Sequence, residues 1–371
     1  MRAVVIGGGV MGLATGCALA AEPGAVVTVI ERAAVAHAWA SSHGWSRAIR
    51  HEYGPEAIYT HMVARSLSLW DELARETGVK LYTETGVLTL GQPEDGHTLP
   101  GYEVMRAAGL PVERLTPDET TRRFPQFSAG DFGAITWNPV GGMLAASDCC
   151  AALARRLRSR GGNLREGMGV SRVELAGSGA VVTLATGERL ACDVAVVTAG
   201  PWVRKVLPDL ELPVTPTRQQ VTYFSGLDAR AFGVGAFPIF LAGMNDYGFP
   251  MHGPGWIKAG LHRFGAEVDP DTGYAPSEAE TAAVRAFFRR VIPAAAEAKA
   301  EMVDRCMYDV TPDEDFILDY HPGGRGIVIG SGFSGHGFKF GPLIGEMLAA
   351  LALGKAAPFP LDRFALGRFT R

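Results

Sequence analysis

Three groups of residues have the types and spacings that chemistry needs. The first is the turn Gly7-Gly8-Gly9-Val10-Met11-Gly12, which follows a short apolar run at 3 to 6 and leads into an Ala/Leu-rich stretch from 11 to 21. Gly7 permits a tight turn, Gly9 lets the backbone approach a pyrophosphate, and Gly12 lets the following helix pack on the strand. A diphosphate would then rest on the free N–H groups and positive dipole end of a helix starting near Val10 and Met11. Glu31 follows a second strand-like run, Val26 to Ile30, 24 residues after Gly7. An acid there accepts ribose hydroxyls and opposes a 2′-phosphate. The unit points to a bound dinucleotide and leaves FAD and NAD both open.

The second group crowds into the irregular segment 41 to 56, where Ser41, Ser42, His43, Ser46, Arg47, Arg50 and His51 stand within a few positions. Polar, glycine-containing loops of this kind usually carry function. The third group lies in the C-terminal half. It comprises Tyr247-Gly248-Phe249-Pro250, Ile257-Lys258-Ala259-Gly260-Leu261-His262, Cys306-Met307-Tyr308 followed by Asp313 to Asp319, and Gly332-Phe333-Ser334-Gly335-His336-Gly337-Phe338-Lys339-Phe340. Taken singly, these residues have ordinary readings. Cys306 would be a buried thiol, Lys258 a strand-edge charge, His262 a structural histidine, and Arg50 and Lys339 surface cations.

The elements that must position these groups follow from periodicity. A strand, turn and helix at 3 to 21 and the strand at 26 to 30 make a βαβ unit. Apolar positions recur at helical spacing over 57 to 76, and a second helix is predicted from a cap at Ser147-Asp148 to Gly161-Gly162. Strand-like pieces at 169 to 197 end in Asp193 to Gly200, a buried parallel strand expected to rejoin the first sheet. Short aromatic-rich segments over 215 to 262 suggest an antiparallel sheet. Residues 278 to 291 read as a helix, 326 to 330 as a strand, and 341 to 353 as an amphipathic helix. The chain of 371 residues fits two joined domains. At 47% hydrophobic and 20% charged it has the composition of a globular protein with a large core, and a net charge of -4 with scattered Lys and Arg leaves no footprint for nucleic acid or anionic membrane. No run of about eighteen apolar residues suggests a spanning helix, and the short apolar run at the N-terminus is no signal-peptide core, so the expected location is the cytoplasm. Cys17, Cys149, Cys150 and Cys192 read as small buried hydrophobes without metal-like spacing, and no metal site is expected.

Together with Ser42-His43-Gly44-Trp45-Ser46-Arg47-Ala48-Ile49-Arg50, the C-terminal blocks closely resemble the monomeric sarcosine oxidase and N-methyltryptophan oxidase family, among the D-amino-acid-oxidase-like FAD oxidoreductases. Four separated blocks occur in the family's order, over nearly the whole chain. The resemblance implies an α/β protein with a Rossmann-like FAD-binding domain discontinuous over 1–80, 141–210 and 320–371. A substrate domain on a mixed or antiparallel sheet would occupy 81–140 and 211–319. It implies FAD bonded covalently through the Cys306 sulfur, Arg50 and Lys339 gripping a substrate carboxylate, and Lys258 as the oxygen-activating cation with Arg47 as a second flavin-facing cation. Tyr247, His262 and Tyr308 would shape the pocket, and the N–H groups of Gly335 and Gly337 would approach the flavin's pyrimidine oxygen. Arg32, Ser42, His43, Ser46, Val170 and Gly200 complete the expected cofactor contacts.

The implied reaction is oxidation of a secondary or N-methyl amino acid by hydride transfer to flavin N5, with imine hydrolysis and hydrogen peroxide from O2. The protein would act as a monomer or weak homo-oligomer. Two departures touch the site, because the family's paired histidines are here Ser42-His43 and its acid after the loop glycine is Trp45. They bear on the identity of the substrate more than on the reaction class; the alternatives to the oxidase are a dehydrogenase with another acceptor, an oxidase of a cyclic amino acid, and a catalytically silent flavin-binding subunit.

Overall fold

The structure is a computed structural model and describes residues 1–243 and 245–369. Val and Ile dominate Arg2–Ile6 and Val26–Ile30, and such continuous apolar strands are stable only in a sheet covered on both faces. They pair in parallel, and Val194–Val197 joins the first strand's other edge as expected. The whole sheet runs Ile317–His321, Gly324–Ser331, Val194–Val197, Arg2–Ile6, Val26–Ile30, Asn163–Arg165. Only the first pair is antiparallel, where a hairpin folds the chain back.

Helix Val10–Ala20 packs between helices Ala146–Ser159 and Gly341–Ala352 on one face of this sheet. A methyl on Gly345 would press on the backbone of Ala14, so glycine there sets how close two of these helices come. Gly341–Ala352 is not amphipathic as expected but buried on nearly every side, because two helices and the sheet enclose it. On the sheet's other face lies the antiparallel meander Val170–Ala176, Gly179–Leu184, Arg189–Cys192.

An eight-stranded sheet roofs the cavity described below. Its order is Lys299–Val310, Thr215–Ser225, Trp256–Leu261, Asp246–His252, Ile239–Ala242, Val87–Gly91, Ala134–Asn138, Glu113–Leu115. The pairing is antiparallel except between Ile239–Ala242 and Val87–Gly91, which makes the sheet mixed. Helix Glu278–Val291, capped by the Ser277 hydroxyl, buries Val284, Phe287, Phe288 and Val291 against the outer face. Its inner face is left for the site.

Local expectations need correction in four places. Helix Ala146–Ser159 is not capped by Ser147-Asp148. Ser147 lies inside the first turn, and its hydroxyl donates instead to the Gly44 carbonyl at 2.9 Å. The twelve-residue strand Lys299–Val310 had no apolar alternation to reveal it, because its N-terminal half is polar and partly exposed. Helices Thr98–Ala107 and Pro117–Arg123 were also not anticipated, although Thr116 and Glu119 form a reciprocal capping box at the start of the second.

Candidate active site

At the turn, Gly7 has φ +103°, and a side chain there would strike the Thr198 carbonyl. Gly12 is equally constrained, since a methyl would overlap the Gly7 carbonyl and crowd the Thr198 hydroxyl. Only glycine lets strand, turn and helix meet this closely. The Ser42 hydroxyl accepts from the Val10 N–H at 3.1 Å, at the mouth of the helix. Glu31 is buried and receives the N–H groups of Gly8 at 2.8 Å and Ala33 at 2.9 Å, with His37 at 3.3 Å. Burial pushes its carboxyl up, but the His37 bond and the two N–H groups together outweigh this and hold it below the usual range.

A single cavity of about 950 Å³ extends from this turn to the roof. Gly7, Gly9, Val10, Met11, Glu31 and Arg32 line one end, with Ser42, Val170 and Gly200 along the wall. Arg32 is held by Asp271 at 2.9 Å; Asp271 also accepts from Trp202 and Lys205 and so carries a roof loop across to the nucleotide side. Gly12, His43 and Ser46, expected as cofactor contacts, stand behind the lining instead. Gly12 serves packing, while His43 and Ser46 are turned toward protein partners.

Strand register explains the roof end. Residues directly opposite in paired strands point to the same face. Thr89 pairs with Leu241, Leu241 with Tyr247, Tyr247 with Gly260, Gly260 with Val221, and Val221 with Asp304. That transverse row faces the cavity, and Thr89, Leu241, Tyr247, Val221 and Asp304 all line it. A neighbouring row carries Phe249, Lys258 and Tyr223. Along Lys299–Val310 the same alternation turns Asp304, Cys306 and Tyr308 inward. Tyr274 donates to the Cys306 carbonyl.

Two loops close the opposite wall. Segment 332–340 is fastened by Asp309, whose carboxylate accepts the Gly332 N–H at 2.9 Å. Burial pushes that carboxyl up to about 6 against the hydrogen bonds it receives. Gly335 has φ +77°, and a methyl there would overlap the Tyr308 ring. The N–H groups of Gly335 and Gly337 have no hydrogen-bond partner among the described residues, and both glycines line the cavity. Lys339 donates to the Tyr53 hydroxyl at 2.7 Å and the His336 carbonyl at 2.8 Å. Arg50 lies over the Tyr53 ring at 4.9 Å, and its buried Nη1 has no partner among the described residues. Burial and Arg50 push the Lys339 amine well down, with Glu52 opposing. Burial, Arg50 and Lys339 likewise push His262 down to about 4.

Lys258 is buried over the Phe249 ring at 4.6 Å and donates to the Ser46 carbonyl at 2.9 Å and its hydroxyl at 3.3 Å. The Ser46 hydroxyl reaches His252 Nε2 at 2.9 Å, and His252 Nδ1 reaches the Pro250 carbonyl at 2.8 Å. A carbonyl only accepts, so Nδ1 carries the proton, Nε2 accepts from Ser46, and the serine lone pairs face Lys258. Burial and then Arg47 push the Lys258 amine down to about 7. Arg47 itself donates to the carbonyls of Ser46 and Ser41. His43 pairs with Asp304 at 2.9 Å. Burial pushes Cys306 up, with Arg47 and Lys258 opposing. Trp45 packs edge-on to Tyr223 at 4.9 Å and beside Trp256 at 5.8 Å.

The structure therefore gathers Arg47, Arg50, Tyr247, Lys258, His262, Cys306, Tyr308, Gly335, Gly337 and Lys339 around one space. Sequence reasoning missed Tyr53, Asp304 and His252. Tyr53 lay in the loop already singled out, three residues after Arg50, and was the one with a detectable signal. The glycine turn, the unpaired loop N–H groups and the orphan guanidinium nitrogen together suit a long anionic dinucleotide with room beyond its far end for a small acid.

A family model described as FAD dependent oxidoreductase matches residues 2–351. The chain is 33% identical over 377 residues to monomeric sarcosine oxidase of Bacillus sp. (strain B-0618), covering 98% of this chain and 95% of the relative. It is 35% identical over 379 residues to N-methyl-L-tryptophan oxidase of Yersinia pestis (strain Pestoides F), covering 99% and 98%. Among solved structures, L-proline dehydrogenase from P. horikoshii superposes with a TM-score of 0.86 at 25% identity, covering 100% of this chain and 98% of that one.

Proposed function

We propose, since the chain belongs to the family of FAD-dependent oxidoreductases, that it oxidises the carbon–nitrogen bond of a secondary or N-methyl amino acid. The observation that carries this reading is Arg50, whose buried Nη1 has no partner among the described residues and which lines the cavity wall together with Lys339. A carboxylate supplies what both lack. It takes two parallel N–H bonds from Arg50 and gives Lys339 a counter-charge that favours its protonated form.

Bound FAD supplies a two-electron acceptor that O2 can reoxidise with release of hydrogen peroxide. Gly7, Gly9, the helix end at Val10 and Glu31 would hold its ADP half, and Gly335 and Gly337 would offer N–H groups at the other end. Cys306 faces the same space and would carry the covalent link. Arg50, Lys339 and the neutral His262 favour an amine that has shed its proton, which is the form with a lone pair to drive oxidation. Tyr247 and Tyr308 wall the pocket and exclude water. Strand membership supports reading 1–80, 141–210 and 320–371 as the FAD domain and 81–140 with 211–319 as the substrate domain, except that Tyr82–Glu84 pairs with Gly142–Leu144 across the first boundary and Ile317–His321 bridges the last. The free state of all five cysteines supports a cytoplasmic setting, where we place a monomer or weak homo-oligomer. No described helix is long and apolar enough to cross a membrane.

A second reading, a dehydrogenase with a different acceptor, is favoured by the depressed Lys258 amine, because a neutral lysine gives less help to a developing superoxide. The family resemblance to oxidases favours the first. Anaerobic mixing with sarcosine, N-methyl amino acids and proline, followed by admission of air, tests both. Bleaching of the flavin by at least one of these and stoichiometric peroxide are expected. Bleaching without peroxide selects the dehydrogenase, and no bleaching by any of them removes the amine reading.

A further inference from the structure

We propose that Thr89 and His97, both in the cavity wall, form a subsite for the substrate side chain that selects secondary amino acids bearing an uncharged hydrogen-bonding group, a hydroxyl or carboxamide. This rests on the amino-acid reading above.

Strand Val87–Gly91 is apolar apart from Thr89, and alternation divides it cleanly. Leu88 and Leu90 enter the core beneath helix Glu278–Val291, while Val87 packs with Ile239 and Phe249 on the inner side. Thr89 shares that inner side at the end of the transverse row shared with Leu241 and Tyr247. It is 4% exposed, yet its Oγ1 has no hydrogen-bond partner among the described residues. A buried hydroxyl without a partner is destabilising, and valine has the same shape without that cost. Thr89 is among the residues that line the cavity, so the missing partner can come from an occupant.

His97 supplies a second polar group. It precedes helix Thr98–Ala107, its ring is pressed against Gly54, and neither ring nitrogen is bonded to another described residue. Burial and then Arg50 push it toward the neutral form, with Asp95 opposing, so the ring presents one donor and one acceptor. The charge nearest this subsite narrows the ligand further. A cationic side chain would meet Arg50, which bears on the His97 ring, and a second carboxylate would compete with the substrate's own for Arg50. A neutral group that both donates and accepts fits Thr89 and His97 without either penalty.

The test uses the flavin-loaded enzyme with sarcosine, N-methylalanine and N-methylserine, and with N-methylleucine and N-methylglutamine as a longer pair. The wild type should favour the polar member of one pair at least tenfold in kcat/KM. Thr89→Val should reduce that ratio about tenfold, while Thr89→Ser should retain it. Without substrate, Thr89→Val should melt no lower than the wild type, since it removes an unsatisfied group and keeps the shape. No polar preference in the wild type, a preference that survives Thr89→Val, or a lower melting temperature would each overturn the subsite. If sarcosine and all four analogues leave the flavin unbleached, the amino-acid reading itself falls; if sarcosine alone is oxidised, only the subsite does.

Discussion

Lys258 offers a quantitative test that needs no substrate. Its amine sits at about 7 in the fold, whereas the ordinary value is 10.5. A base depressed in this way disfavours its protonated form in the folded state. Below about pH 7 both folded and unfolded chains carry the proton, and the fold bears the full penalty of about 5 kcal/mol at 1.36 kcal/mol per pH unit. Between about 7 and 10.5 the unfolded chain binds more protons, so stability rises with pH, and above that range the penalty is gone. From pH 7.0 to 9.5 the gain from this one group is about 3 kcal/mol. Lys258→Met keeps the unbranched stem, abolishes the titration and leaves Lys339, also depressed, to titrate as before. The difference between the two proteins therefore isolates Lys258. Urea unfolding of the chain prepared from a riboflavin-starved host, at both pH values, measures it. The variant should be more stable at pH 7.0, and the gap should shrink by about 3 kcal/mol at pH 9.5. Parallel pH dependence in the two proteins would refute the argument and leave Lys258 charged at neutrality.

Further outcomes follow from the same geometry. Acid-precipitated wild type should remain yellow and Cys306→Ser should give a colourless pellet, whereas flavin lost equally from both would exclude attachment through this sulfur. Arg50→Met should raise KM for an N-methyl amino acid by about a hundredfold, as expected for losing roughly 3 kcal/mol of charge-assisted hydrogen bonding; a KM within a factor of three would place the carboxylate elsewhere. Gly335→Ala forces a positive φ on alanine and drives its methyl into Tyr308, so flavin retention and turnover should both fall sharply, and normal values in both would show that the loop relaxes.

What the sequence revealed depended on range. The turn at Gly7 to Gly12 was legible because strand, glycines, helix and Glu31 all lie within one short unit. Helices Ala57–Thr77 and Glu278–Val291 were legible because one face of each is buried and the other wet, which leaves a period in the residues. Gly341–Ala352 misled for the opposite reason, since a helix enclosed on every side keeps no polar face. Strand Lys299–Val310 escaped because Glu301, Asp304 and Arg305 interrupt any alternation, although its other half carries Cys306 and Tyr308. At the site, Arg50, Lys258 and Lys339 were singled out through resemblance, because nothing local separates them from surface charges. Asp304 and Thr89 depend on strand register between segments far apart in the chain, and no local pattern encodes that. His252 looked like any histidine until its two carbonyl and hydroxyl partners fixed which nitrogen holds the proton.

The transverse row has a consequence for how such an enzyme can change. Thr89, Leu241, Tyr247, Val221 and Asp304 share one row in space, but each comes from a different strand. The ladder that aligns them is made of backbone groups, which are indifferent to the side chains above them. One codon change therefore resurfaces one spot of the ceiling and leaves the alignment of the others intact. New preferences can accumulate independently and be reversed independently, without passing through an unfolded ancestor.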